Sequence, residues 1–110
     1  MKLAEGQGVL GRIRFVDGML PEYDRTYLVV NVERDYIEVL NVSSIKGKEW
    51  KLAFPTNERL KNYNPPFVMP SFVKLDSLTR VERSEWANLR VLNAGRTLDA
   101  SELARIKRMF

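Results

Sequence analysis

Three alternating residues, Phe72, Lys74 and Asp76, are of the types with which a protein can bind and cleave a phosphodiester. In an extended strand, alternate side chains share a face, so Val73 and Leu75 point into a core while these three point the other way. The ammonium can hold a phosphate, the carboxylate can accept a proton and the ring can stack on a base. A solvated strand face has the same pattern, so the rest of the chain must decide between the two interpretations.

The 110-residue chain contains no His and no Cys. This composition excludes a His general base, a Ser-His-Asp triad, thiolate chemistry and disulfides, and it removes the usual ligands of zinc. Acid–base catalysis would fall to Asp, Glu, Lys, Tyr or Arg. We therefore expect no metal and no other cofactor.

Length and composition are typical of one globular domain, and we expect residues 1–110 to form it. No apolar run approaches the roughly 20 residues of a membrane span, and the first residues lack the hydrophobic run of a signal peptide. We therefore expect a cytoplasmic protein without membrane association. Residues 1–45 hold five basic and seven acidic side chains, whereas residues 46–110 hold thirteen basic and seven acidic ones. The basic part favours a polyanionic partner such as RNA or DNA.

Alternating and apolar runs predict a mainly β fold of five to seven short strands with a helix at the C-terminus. In the first run, Ile13 and Phe15 share one face and Arg12 and Arg14 share the other. An irregular loop is predicted over 55–66 and a helical turn over 84–88. The predicted strands cover residues 9–16, 27–32, 36–43, 48–54, 67–76 and 78–81, the second and third forming a hairpin.

The C-terminal segment changes to helical period. Asp99 and Glu102 have the spacing of a capping box, with Asp99 as the N-cap. Leu103, Ile106 and Phe110 then recur at helical spacing. Short strands followed by this helix suggest a small, strongly bent sheet or barrel with the helix packed on it.

Five segments, in order along the chain, resemble the MazF/PemK/Kid family of toxin ribonucleases from bacterial toxin–antitoxin operons. Two departures are Thr26, where the family usually has Pro, and Ser77, where it has Gln; the loop before the second segment also lacks the family's Gly-rich tract. The segments are GRIRFVD at residues 11–17, RTYLVV at 25–30, VLNVSS at 39–44, SFVKLDSL at 71–78 and LDASEL at 98–103.

The resemblance implies an SH3-like β-barrel with a C-terminal α-helix, usually present as a homodimer. It implies metal-independent, sequence-selective cleavage of single-stranded RNA, here mRNA. The ribose 2′-hydroxyl attacks the adjacent phosphate and leaves a 2′,3′-cyclic phosphate and a 5′-hydroxyl. It also implies a cognate antitoxin protein, whose acidic tail would lie across a basic groove.

By resemblance, Arg25 matches the family's catalytic Arg and Ser43 its catalytic Ser or Thr, with Ser44 as an alternative one residue further on. A guanidinium can grip two phosphate oxygens, although a surface ion pair is the alternative role of this Arg. Lys74 and Asp76 match the cation and the acid of some branches. Asp76 would take the 2′-hydroxyl proton, and Lys74 would stabilise charge or protonate the leaving group, provided that their environments shift both pKa values.

Further cations and aromatic rings are candidates for binding RNA. Trp50 is a candidate for stacking and equally a core or dimer-interface residue. Trp86 is expected more strongly to be a core or dimer-interface residue. The predicted RNA-binding residues are Arg12, Arg14, Tyr23, Lys46, Lys48 and Phe72.

Two other classes of protein are also compatible with the sequence. One is a non-catalytic nucleic-acid-binding module on the same barrel, for example a decayed toxin that acts as a regulator. The other is a protein-interaction barrel whose basic surface is incidental. A substitution of Arg25 that abolishes an activity, rather than only weakening binding, would distinguish the enzyme from both.

Overall fold

The computed structural model describes residues 2–14 and 17–110 of the chain. In these residues the fold has seven β-strands and one short C-terminal α-helix, so the mainly β prediction is confirmed. The described residues also contain three 3₁₀ helices, at Glu49–Ala53, Arg83–Asn88 and Asn93–Gly95. The second of them contains the helical turn predicted over 84–88. The strands are β1 (Gly8–Gly11), β2 (Arg25–Val32), β3 (Tyr36–Ser44), β4 (Asn57–Arg59), β5 (Ser71–Lys74), β6 (Thr79–Glu82) and β7 (Arg90–Val91), and the helix is α1 (Ala100–Lys107).

The strands form one antiparallel sheet in which β3 is the central element. The hydrogen-bonded order is β4-β5-β3-β2-β1-β7. One edge of β3 pairs with β2, and the other edge pairs first with β6 and then with β5. Among the described residues β4 and β7 do not pair with each other, so the sheet is open there.

The hairpin of β2 and β3 was predicted from its apolar runs and is confirmed. The Glu33 N–H donates a hydrogen bond to the Tyr36 carbonyl at 2.8 Å, which closes the turn. Leu28, Val29 and Val30 are fully buried, as expected for a strand covered on both faces.

Each face of the sheet carries an apolar core because alternate side chains of its strands are buried on opposite sides. The predicted core position of Trp86 is confirmed: its ring is buried, and its indole N–H donates to the Val81 carbonyl at 3.1 Å. The first core contains Leu3, Val9, Ile13, Tyr27, Val29, Ile37, Val39, Val81, Trp86 and Leu89. The second core contains Leu28, Val30, Leu40, Val42, Leu60, Phe67, Val73, Leu98 and Ile106.

Helix α1 starts as the sequence predicts. The carboxylate of Asp99 accepts hydrogen bonds from the backbone N–H groups of Ser101 and Glu102, both at 3.2 Å. Asp99 is therefore the N-cap. Leu103 and Ile106 pack on the second core, whereas Phe110 lies beyond the helix and is exposed.

Glu102 attaches the helix to the sheet instead of closing the capping box. Its buried carboxylate accepts hydrogen bonds from the backbone N–H groups of Lys61 and Asn62, just after β4. The Arg105 guanidinium donates to Glu102 at 2.7 Å and to Glu58 of β4 at 2.6 Å. Burial alone would raise the pKa of Glu102, but these hydrogen bonds outweigh burial and lower it.

The strand predicted over residues 48–54 is wrong, because the chain forms the Glu49–Ala53 3₁₀ helix there. The Lys51 and Phe54 N–H groups donate to carbonyls three residues earlier, at 2.9 and 3.2 Å. The rings of Trp50 and Phe54, the residue after the helix, form an edge contact with centroids 5.9 Å apart.

Other boundaries also differ from the predictions. The segment predicted as a loop over 55–66 contains strand β4, which pairs with β5. The strand predicted over 67–76 is confined to β5, and the next begins at Thr79 instead of Leu78.

The strand predicted over 9–16 ends at Gly11. A Cβ at Gly11 would lie 2.8 Å from Leu89 Cδ2 and 3.0 Å from the Asn88 carbonyl oxygen, so a larger residue here would require Leu89 and its neighbouring backbone to shift. Beyond it, Ile13 is buried and Arg12 and Arg14 are exposed, in keeping with the predicted alternation, and residues 15 and 16 lie outside the described residues.

Candidate functional site

Three adjacent strands bring three of the predicted site residues to one face of the sheet. The register places Val42 of β3 opposite Thr26 of β2 and Val73 of β5. Thr26, Val42 and Val73 thus share the face of the second core. Successive side chains of a strand point to opposite faces, so the residues that flank these three in sequence share the face of the first core. They include Arg25 on β2, Ser43 on β3 and Lys74 on β5.

This face borders a polar cleft of about 520 Å³. Besides Tyr23, Thr26, Asn41 and other residues, the cleft is lined by four cationic side chains and the Ser43 hydroxyl. We call it the cation cleft, and its defining residues are Arg25, Ser43, Lys48, Lys51 and Lys74. Asp24 is the one acid among the described residues that line it. Such an excess of positive charge in a concave surface attracts phosphate groups.

The Ser43 hydroxyl is oriented by a neighbouring cation. Lys48 Nζ donates a hydrogen bond to Ser43 Oγ at 3.0 Å. Since the oxygen acts as an acceptor towards Lys48, the hydroxyl hydrogen can point to an oxygen of a bound anion. Ser44 also lines the cleft, but alternation directs it to the opposite face of β3.

Lys74 lies in an environment that disfavours its charged form. Partial burial is the largest cause that lowers the pKa of its ammonium, followed by the positive charges of Lys51, Arg25 and Lys48. The carboxylate of Asp76 acts in the opposite direction and does not cancel these effects. A lysine with a lowered pKa is a stronger acid than a free lysine and can give up its proton more easily.

Arg25 is held beside an exposed aromatic ring. Its guanidinium carbon lies 5.0 Å from the centre of the Tyr23 ring, and Nη2 donates to the Tyr23 hydroxyl at 3.5 Å. The Tyr23 ring is 60% exposed, so it stays accessible beside this cation.

A second cleft, of about 280 Å³, adjoins the first. It is lined by Asp76 and Arg14, and it shares Arg25, Asn41 and Lys74 with the cation cleft. Arg25 and Lys74 therefore stand between Ser43 on one side and Asp76 on the other.

The turn that carries Asp76 is fixed by Ser77, a residue noted in the sequence only as a departure from the family. The Ser77 hydroxyl donates to the Lys74 carbonyl at 2.6 Å and accepts from the Asn41 N–H at 2.8 Å. The turn is thereby attached to β3, so that Asp76 follows Lys74 in a defined position.

The other predicted RNA-binding cations differ in their placement. Lys48 lines the cation cleft, and Arg14 lines the second cleft while donating to the Gly18 carbonyl at 2.8 Å. Arg12 is exposed and lies 3.8 Å from the Asp24 carboxylate. Lys46 is exposed in a turn and lines neither cleft.

The prediction that Phe72 lies on an open face is wrong, because its side chain is fully buried. Phe72 pairs with Ser43 on one side and with Arg59 on the other, which makes β5 an interior strand. The prediction assumed that this face of β5 is open along its whole length, whereas at Phe72 it is covered. On the other face, Val73 is in the second core and Leu75 packs against it, as predicted.

Lys51 is a cleft residue that the sequence analysis missed. A strand over 48–54 would place Lys48 and Lys51 on opposite faces, since they are three residues apart. The 3₁₀ helix has three residues per turn and brings both to the same side. The sequence contains no signal that distinguishes this short helix from a strand, because a short apolar run fits either period.

Comparison with known proteins finds no family model that matches the chain and no significant match to a curated protein. No helix of the described residues is long and apolar enough to cross a membrane. Across residues 2–14 and 17–110, His, Cys, Asp and Glu form no group of three or more that could hold a metal ion.

Proposed function

We propose that the protein is the toxin of a type II toxin–antitoxin system and a metal-independent endoribonuclease, related to the MazF/PemK/Kid family and built on an SH3-like barrel. The observation that supports this proposal best is the convergence of Arg25, Ser43 and Lys74 on one face of three adjacent strands, in a cleft rich in cations. Asp76 lies in the adjoining cleft, across the two shared cations.

Each of these residues has a role in the proposed reaction. Arg25 holds the non-bridging phosphate oxygens and stabilises the phosphorane, and the Ser43 hydroxyl donates to one of them. Asp76 takes the proton of the 2′-hydroxyl while the ribose 2′-oxygen forms the new bond to phosphorus. The bond from phosphorus to the 5′-oxygen breaks, and the Lys74 ammonium gives that oxygen a proton. The products are a 2′,3′-cyclic phosphate and a 5′-hydroxyl, and protein side chains supply all the charge stabilisation.

The proposed partners follow from the same surface. Single-stranded mRNA is the substrate, and a cognate antitoxin with an acidic tail competes for the cation cleft by charge complementarity. The toxin acts in the cytoplasm as a homodimer.

A second candidate is a non-catalytic nucleic-acid-binding module, including a decayed toxin that acts as a regulator. The separation of Ser43 and Asp76 into two adjoining clefts favours it, because a binding surface needs the cations but does not need Ser43 and a proton acceptor in the same cleft.

The experiment that tests the proposal is incubation of the protein with a long single-stranded RNA in EDTA, followed by mapping of the new ends. Discrete cuts with 2′,3′-cyclic phosphate ends are expected, together with a loss of at least ~100-fold in rate for Arg25→Ala. Arg96→Ala is the matched control, because this exposed arginine lines neither cleft. Inhibition by EDTA, or a near-normal rate of Arg25→Ala, would contradict the mechanism. Binding without cleavage would favour the second candidate.

A further inference from the structure

The Glu49–Ala53 3₁₀ helix presents a large aromatic surface to solvent. Trp50 is 64% exposed, so it is not the core residue that its type suggests. Its only neighbouring ring among the described contacts is that of Phe54, which meets it edge on at an interplanar angle of 75°. This contact steadies the indole ring, and most of the Trp50 surface stays exposed.

The same short helix connects this ring to the cation cleft. Lys51 Nζ lies 5.5 Å from the centre of the Trp50 ring. Lys51 and Lys48, on either side of Trp50 in sequence, both line the cation cleft. A phosphate held in the cleft would therefore lie close to an exposed indole.

We infer that Trp50 is a stacking platform for an unpaired nucleobase whose neighbouring phosphate occupies the cation cleft. The inference rests on the proposed function and assigns a position for one base of its single-stranded substrate, since a base paired within a duplex cannot leave its stack to lie on the ring. Exposed aromatic rings beside a positively charged groove are the usual means of holding single-stranded nucleic acid.

Charge favours a polyanion over an uncharged protein surface as the occupant beside Trp50. An exposed Trp is also typical of protein interfaces. Here the ring is joined through Lys51 to a cleft with four cations, which makes a polyanion with aromatic groups the better complement.

Tryptophan fluorescence tests the inference, because the chain has two Trp residues and the other, Trp86, is buried. The probes are a single-stranded oligo(dT), which lacks the 2′-hydroxyl needed for cleavage, and inorganic polyphosphate, which has charge but no bases. We expect oligo(dT) to quench Trp50 and polyphosphate to bind without quenching.

The variant Trp50→Leu should lose this quenching and bind oligo(dT) about 10- to 100-fold more weakly, while its affinity for polyphosphate is unchanged. The remaining fluorescence of Trp86 reports that the variant is folded. Trp50→Tyr, which keeps a ring, should retain most of the affinity.

The inference is overturned if Trp50→Leu binds oligo(dT) as tightly as the wild type does, whether or not RNA is cleaved. It also fails if a duplex of the same length quenches Trp50 equally, or if neither probe binds. Cleavage of RNA in the assay above reports on the proposed function separately. Quenching by oligo(dT) without any cleavage of RNA would support the platform and count against the enzyme.

Discussion

Lys74 shows how neighbouring charges can adapt one side chain to proton transfer. Burial first, and then the charges of Lys51, Arg25 and Lys48, lower the pKa of its ammonium, so it loses its proton at a lower pH than a free lysine does. If Lys74 protonates the leaving group, kcat/KM should decrease along an alkaline limb centred below ~10.4, the pKa of a free lysine.

The position of that limb tests the role of Lys74. Lys51→Gln removes a positive charge near Lys74 and should therefore move the limb to higher pH, whereas Lys46→Gln, outside the cleft, should leave it in place. The measurement is kcat/KM for RNA cleavage between pH 6 and 11. A limb that does not move in Lys51→Gln would remove Lys74 from the proton transfer.

Asp76 should affect the chemistry more than the binding of RNA. Asp76→Asn keeps the shape of the side chain but cannot take the 2′-hydroxyl proton, so we expect kcat to fall about 100- to 10,000-fold with little change in affinity. Single-turnover cleavage and binding of a 2′-deoxy analogue measure the two effects separately. Asp24→Asn, which alters the acid of the other cleft, is the control. Equal losses of rate and affinity in Asp76→Asn would indicate a binding or folding role.

At the scale of elements, helix α1 depends on one buried carboxylate. Glu102 joins α1 to the chain after β4, and Arg105 extends this link to Glu58. Replacing Glu102 removes the acceptor of the Lys61 and Asn62 N–H groups, and it removes one of the two carboxylates that pair with Arg105. We therefore expect Glu102→Ala to lower the free energy of unfolding by ~2–4 kcal/mol at neutral pH, as measured by urea denaturation.

The pH dependence of that loss has a definite sign. The folded-state pKa of Glu102 is lowered, so its contribution is fully present above the unfolded-state pKa and is lost as pH falls through the folded-state value. The difference in stability between the wild type and Glu102→Ala should thus narrow in acid, below about pH 4. Glu22→Ala, an exposed position, should show no such change. A difference that stays constant down to pH 2 would contradict the assignment.

The sequence predicted those elements whose signal is local. The β2–β3 hairpin, the Asp99 cap and the burial of Trp86 follow from apolar runs, from capping chemistry and from residue type. The Glu49–Ala53 helix was missed because a short apolar run fits the period of a strand as well as that of a helix. Because a strand was predicted there, Lys51 was not recognised as a residue of the cation cleft. Strand β4 is three residues long and is defined by its partner β5, so its own residues carry little signal.

At the scale of the whole molecule, the net charge of +4 is less informative about a binding site than the concentration of positive side chains in one cleft. Four cations line one cleft, whereas cations such as Lys46 and Arg96 lie outside it. If the cleft binds a single strand, each phosphate that it neutralises releases counterions, and log Kd should change with log salt concentration. Each neutralised phosphate contributes ~0.7 to the steepness of the slope. Four such contacts should therefore give a slope of about −3 when the logarithm of the association constant is plotted against the logarithm of the salt concentration.

Two double variants with equal net charge separate the cleft from the overall charge. Lys48→Gln with Lys51→Gln removes two cations of the cleft and should make the slope shallower by about 1.4, whereas Lys46→Gln with Arg96→Gln removes the same charge elsewhere and should leave it unchanged. Titration of a fluorescent oligo(dT) at several salt concentrations gives both slopes. If binding depends only on the overall charge of the protein, the two double variants should change the slope equally, because both remove two positive charges. A change confined to the first pair means that the strand lies in the cleft formed by β2, β3, β5 and the Glu49–Ala53 helix.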